Sequence, residues 1–163
     1  MTFEEFVAVR LPALARQATV LAGDPYVAED VLQDVLVKAQ LRWARISGLD
    51  APEASLRKMI INELLSVRRR VSARLRRERL HLPVGTDGDG AEQVAQRDAL
   101  IRMIRALPVR QRIVISLRYF DDMADADIAA VLGCRLTTVR SLASRALAAM
   151  RVVAGRQPAR EET

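Results

Sequence analysis

The chain has 163 residues, half of them apolar, and only 4% aromatic. That is length for one ordinary domain or two small ones, and the Ala-, Leu- and Arg-rich mix favours helices over strands. The formal net charge is +6 and the pI about 10.6, which suits a polyanionic partner. One cysteine, Cys134, and one histidine, His81, exclude an internal disulfide and a Cys/His zinc site. The amino terminus MTFEEFVAVR lacks the basic start and apolar core of a signal peptide, and no apolar run reaches membrane-spanning length. A soluble intracellular protein without membrane insertion is expected.

The reading is all-α: two small helical domains joined by a flexible linker. The first covers residues 1–80. Phe3, Phe6, Val7, Leu11, Leu14 and Ala18 keep helical spacing, and Pro12 predicts a bend or a restart within that stretch. Gly23-Asp24-Pro25 marks a turn. A second helix is expected from about Val27 to Ile46, with Val31, Val35, Ala39 and Trp43 on one face. On the other face Asp30, Gln33 and Asp34 recur at i, i+3 and i+4 and form an exposed acidic stripe. Such a stripe is ordinarily a solvated face. After a loop over residues 47–52, a long helix from about Glu53 carries Leu56, Ile60, Leu64 and Val67 inward.

That helix runs into the most basic part of the chain. Arg57, Lys58, Arg68, Arg69, Arg70, Arg74, Arg76, Arg77 and Arg79 are opposed only by Glu63 and Glu78. The sign then reverses over Asp87, Asp89, Glu92 and Asp98. Residues 81–92 hold three glycines and a proline and read as a flexible acidic linker.

The second domain covers residues 93–155, with a frayed, disordered tail at 156–163. Leu100, Ile104 and Leu107 mark one helix. Pro108 presets the next, which carries Val114, Leu117 and Tyr119. The stretch from Asp125 to Arg151 reads as a helix-turn-helix. Ile128, Val131 and Leu132 point inward, and Gly133 supplies the left-handed turn residue. Thr137 or Thr138 caps the second helix, whose buried stripe is Val139, Ala143, Ala146, Leu147 and Met150. Its other face presents Arg140, Ser141, Ser144 and Arg145, types that reach phosphates and base edges.

An acidic helix, a basic long helix, an acidic linker and a helix-turn-helix follow one another in this order. The whole resembles the extracytoplasmic-function sigma factors of the sigma-70 family, the small two-domain initiation subunits of bacterial RNA polymerase. Ile61-Asn62-Glu63-Leu64-Leu65-Ser66-Val67-Arg68-Arg69-Arg70 points within that group to the actinobacterial SigE-like subgroup. The resemblance covers nearly all of the chain to about Val153.

The resemblance implies that Asp30, Gln33 and Asp34 dock on the clamp helices of the largest core polymerase subunit. It implies that the loop at 47–52 captures a flipped base of the −10 element, with Arg57, Lys58, Asn62, Arg68 and Arg69 along that melted strand. The linker would thread the polymerase's basic channel; by composition it is equally a plain tether. In the LPVRQR stretch at 107–112, Arg110 and Arg112 would touch phosphate near the −35 element. Arg135, Thr137, Thr138, Arg140, Ser141 and Arg145 would belong to the −35 recognition region. Core RNA polymerase and promoter DNA are the implied partners, an anti-sigma factor a further candidate. No cofactor, metal or catalytic residue is implied, and the working place is the bacterial cytoplasm at the nucleoid.

The chain departs from the family pattern at four positions. Ala124 stands where a capping serine is usual, with Asp122 or Asp125 as candidate substitutes. Leu142 stands where many relatives carry a basic residue, at the edge of the buried stripe. Ser55 replaces a common tryptophan and Ser66 a common aspartate. The alternative to a sigma factor is a helix-turn-helix regulator that binds duplex operators as a dimer, without polymerase. A third class is a sigma mimic that sequesters a partner.

Overall fold

The computed structural model describes residues 1–78 and 92–155, with backbone alone at 72–78 and 92–97. The expected linker falls outside the described residues apart from Glu92, which opens a helix; the expected tail falls wholly outside them. All regular structure among the described residues is α-helical. The chain divides into two compact units, at residues 87–88.

In the first unit, α1 (Phe3–Ala22), α2 (Pro25–Gln40) and α4 (Pro52–Glu78) pack on one another, with a short α3 (Trp43–Ile46) between the last two. Thr2 and Glu5 form a capping box at the start of α1: the Glu5 amide donates to Thr2 Oγ1 at 3.2 Å, and the Thr2 amide donates to Glu5 Oε2 at 2.8 Å. The helix does not restart at Pro12 but runs through it. Pro12 is exposed, so the Ala8 carbonyl that loses its amide partner faces water rather than the core. At the predicted turn Gly23 adopts φ 77°, ending α1, and Asp24 caps α2 by accepting from the amides of Tyr26 at 2.8 Å and Val27 at 3.1 Å.

The second predicted helix is two. It breaks at Leu41-Arg42, where the Arg42 amide bonds back to Ala39 in a tighter turn. The break returns Trp43 to the start of α1. Its ring meets Phe3 and Phe6 at centroid distances of 5.4 and 4.9 Å, and Nε1 donates to the Met1 carbonyl at 3.2 Å. Leu14, Leu21, Val31, Val35, Leu56, Ile60 and Ile61 fill the core of this unit.

In the second unit, α6 (Val109–Tyr119) lies at the centre of α5 (Glu92–Arg105), α7 (Asp125–Leu132) and α8 (Leu136–Gly155). Every residue from Arg112 to Leu117 is buried, so α6 has no solvent face over that run. Leu107 and Ile104 are buried as expected, whereas Leu100 and Tyr119 are exposed. Ile128 and Leu132 of α7 and Val139, Ala143 and Ala146 of α8 complete the core; Val131, Leu147 and Met150 are half-buried at its edge.

Candidate polymerase- and DNA-binding surfaces

Asp30, Gln33 and Asp34 are all exposed on α2, opposite buried Val31, Leu32 and Val35. Gln33 Nε2 donates to Glu29 Oε1 at 3.3 Å. Neither Asp30 nor Asp34 meets a cation among the described residues. A carboxylate pair kept hydrated and unneutralised in this way is available to a basic or polar partner.

On α4, Lys58, Asn62 and Arg69 are exposed at i, i+4 and i+11 and form one line, with exposed Arg68 on its flank. Arg57 does not join that line. It is half-buried and pairs with Glu53 at 3.3 Å, and Glu53 also holds Arg10 of α1 at 3.3 Å. The Glu53 carboxylate thus ties the start of α4 to α1, and Arg57 holds that carboxylate from one turn further along α4. The loop residues from Ser47 to Ala51 are exposed.

Glu63 is a residue that sequence reasoning passed over. It is largely enclosed, and Lys38 of α2 donates to its Oε2 while Arg70 pairs with Oε1 at 3.0 Å. The Lys38 hydrogen bond holds the Glu63 carboxyl below its ordinary value of 4.5, against burial, which pushes it up; Arg70 adds to the lowering. One carboxylate therefore joins the helix of the acidic face to the helix of the basic one.

In the second unit Gly133 ends α7 at φ 59°, ψ 42°, with its own amide and that of Cys134 both donating to the Ala129 carbonyl. Cys134 is half-buried. The second helix begins at Leu136, so Thr137 and Thr138 lie within its first turn and do not cap it. The Arg135 carbonyl accepts from the Thr138 and Val139 amides. Arg135, Thr137, Arg140, Ser144 and Arg145 are exposed; Thr138, Ser141 and Leu142 are half-buried.

Two arginines behave differently from expectation. Arg112 is 6% exposed, and its Nη1 donates to the backbone carbonyl of Arg105 at the end of α5. It serves the core of the unit, and no phosphate can reach it. Arg110 is exposed, but its Nη2 donates at 3.3 Å to the Leu132 carbonyl, at the end of α7. It braces the turn.

Ala124 caps nothing, and neither Asp122 nor Asp125 supplies the missing hydrogen bond. Asp122 is itself in the left-handed region, at φ 48°. Asp125 is engaged elsewhere: its Oδ1 accepts from Arg118 Nε at 2.8 Å, and Arg118 Nη2 reaches both carboxylate oxygens. Arg140 Nε lies 3.8 Å from Oδ2. The Asp125 carboxylate keeps Arg118 firmly protonated, against the opposing effect of burial.

Residues 97–150 match the model of the family described as "Sigma-70, region 4". The chain is 37% identical over 152 residues to the RNA polymerase sigma-E factor of Streptomyces avermitilis, covering 93% of this chain and 84% of that protein. The Streptomyces coelicolor sigma-E factor is 36% identical over the same length, covering 93% and 85%. The chain belongs to the RNA polymerase sigma factors.

Solved structures share the fold. The sigma factor RpoE of the complex with the anti-sigma factor NepR from Bartonella quintana superposes with a TM-score of 0.69 at 24% identity, covering 95% of this chain and 98% of that one. CnrH, in complex with the cytosolic domain of CnrY, gives 0.57 at 22%, covering 95% and 88%. Within the sigma-70 family this chain is an extracytoplasmic-function factor of the SigE-like kind. The operator-binding alternative is not favoured. No helix among the described residues is long and apolar enough to cross a membrane.

Proposed function

We propose that this sigma factor docks on the clamp helices of core RNA polymerase through Asp30, Gln33 and Asp34 and directs initiation at two-part promoters. The observation that carries this is the pairing, within one unit, of an unneutralised acidic face on α2 with an exposed basic and polar line on α4. An operator-binding repressor needs neither.

Lys58, Asn62, Arg68 and Arg69 lie along the melted −10 strand, with the arginines neutralising phosphate and Asn62 offering its amide to a base edge. The exposed loop at 47–51, with Pro52 at the start of α4, receives a flipped base. The strand is favoured over duplex because a base out of its stack gains contacts that a paired base cannot make. Arg57 positions the start of this helix, bound to Glu53. The second unit holds −35 duplex through Arg135, Thr137, Thr138, Arg140, Ser141 and Arg145, while Arg110 and Arg112 hold the helices that present them.

An initiation factor of this kind does its work by binding and needs no nucleophile, metal or cofactor. It acts in the cytoplasm, where polymerase and nucleoid are, and an anti-sigma factor belongs among its candidate partners.

The test is transcription from a promoter library by core polymerase with and without the purified chain. Start sites that require the chain, and that share two sequence blocks upstream, are expected. Tight binding of palindromic duplex by the chain alone, with no chain-dependent transcript, would overturn the reading.

A further inference from the structure

We propose that Asp125 is a specificity-determining residue of the helix-turn-helix, acting on DNA through Arg140. The inference rests on the reading of the second unit as the −35 duplex binder and goes beyond it.

Asp125 opens α7, whereas Arg140 stands on the first turns of α8, the part of a recognition helix that meets base edges. The Asp125 side chain is only 21% exposed and is pinned by Arg118 through both of its oxygens. It cannot swing away without breaking that pair. Its Oδ2 faces the Nε of Arg140 at 3.8 Å, and the Arg140 side chain is 65% exposed. A guanidinium is a rigid planar fork with five donors. An acid on the Nε edge leaves the terminal nitrogens facing outward. That is the geometry needed for a bidentate contact to guanine O6 and N7, and it restricts the swing that would let Arg140 settle on the nearest phosphate instead.

The arrangement makes two effects run in opposite directions. The Asp125 charge repels the phosphate backbone and weakens binding to any duplex. The same charge aims Arg140 and so sharpens the choice of base. A purely structural carboxylate would not separate these effects.

The experiment is selection of −35 sequences from a randomised promoter library by holoenzyme assembled from core polymerase and the full chain. Absence of any −35 preference with the unaltered chain would count against the −35 reading itself, not against Asp125 alone. Given a preference, Asp125→Asn should lower discrimination at one guanine by about tenfold. Retention on unselected duplex should rise. Arg140→Ala should remove the preference at that same base pair, and adding Asp125→Asn to it should change discrimination no further. An Asp125→Asn effect on base choice that persists beside Arg140→Ala overturns the proposal, as does a uniform loss at all positions. Should Asp125→Asn fail to fold, Arg140→Lys, which keeps the charge without the fork, should lose the same base; its retention would overturn the proposal equally.

Discussion

The guanidinium of Arg112 is buried against the carbonyl of Arg105, binding α6 to the last turn of α5. Helix carbonyls at a C-terminus lack amide partners and carry partial negative charge, so a buried cation there is matched on both counts. Hydrogen bonds to charged groups contribute about 1.5–3 kcal/mol. Arg112→Ala should destabilise the second unit by roughly that amount. Hydrogen exchange of the α6 amides measures it. Because Arg112 does not reach the surface, the salt dependence of duplex binding by the folded protein should stay the same. A shallower salt slope would return Arg112 to the DNA-contacting set.

Glu63 makes the first unit sensitive to acid. Its folded-state carboxyl titrates below 4.5, chiefly because Lys38 donates to it. The unfolded chain therefore takes up the proton first as pH falls. The stabilisation is complete above about 4.5 and disappears as pH drops through the folded value. Trp43 is the one tryptophan and lies in this unit, so its fluorescence follows this unit's unfolding alone. Glu63→Gln should cost on the order of 1 kcal/mol at neutral pH, since the Lys38 side chain is 47% and the Arg70 side chain 65% exposed. The variant should also show a flatter loss of stability below pH 4.5 than the unaltered chain. Equal slopes would remove Glu63 from the account.

What was legible in the sequence was what periodicity alone decides. Asp30, Gln33 and Asp34 had to lie opposite Val31 and Val35 on any helix, and they do. Arginines were harder, because a cation for phosphate and a cation for a helix end have the same letter. Val109, Arg112 and Ser116 share one side of α6, but every residue from Arg112 to Leu117 is buried, so periodicity did not single Arg112 out. The break at Leu41-Arg42 had no such mark; neither glycine nor proline stands there, and the attraction of Trp43 for Phe3 and Phe6 is a tertiary effect. The Arg118–Asp125–Arg140 cluster joins three helices and was likewise invisible to local pattern.

Gly133 separates backbone strain from crowding. A Cβ built there would meet nothing within 4 Å, yet φ is 59°. Gly133→Ala should therefore cost about 1–2 kcal/mol through conformation alone. Gly133→Asn should cost less, because asparagine visits the left-handed region more readily. Urea denaturation of the second unit, followed by hydrogen exchange in α7 and α8, ranks the variants. Equal losses for alanine and asparagine would mean that the turn relaxes out of the left-handed region.

The acidic face of α2 gives the most direct prediction about partner binding. Asp30 and Asp34 are exposed and meet no cation among the described residues, so the folded chain gains nothing from their charge. Asp30→Lys with Asp34→Lys should leave helical content and Trp43 fluorescence unchanged. Core polymerase affinity should fall about 100-fold or more, since two attractions become repulsions in a desolvated interface. The duplex affinity of the free chain should not fall, because the added charge is positive and the DNA surfaces are left intact. Pull-down with core polymerase and circular dichroism on the same preparation decide between the outcomes. Undiminished polymerase binding by a folded variant would place the docking surface elsewhere on the first unit.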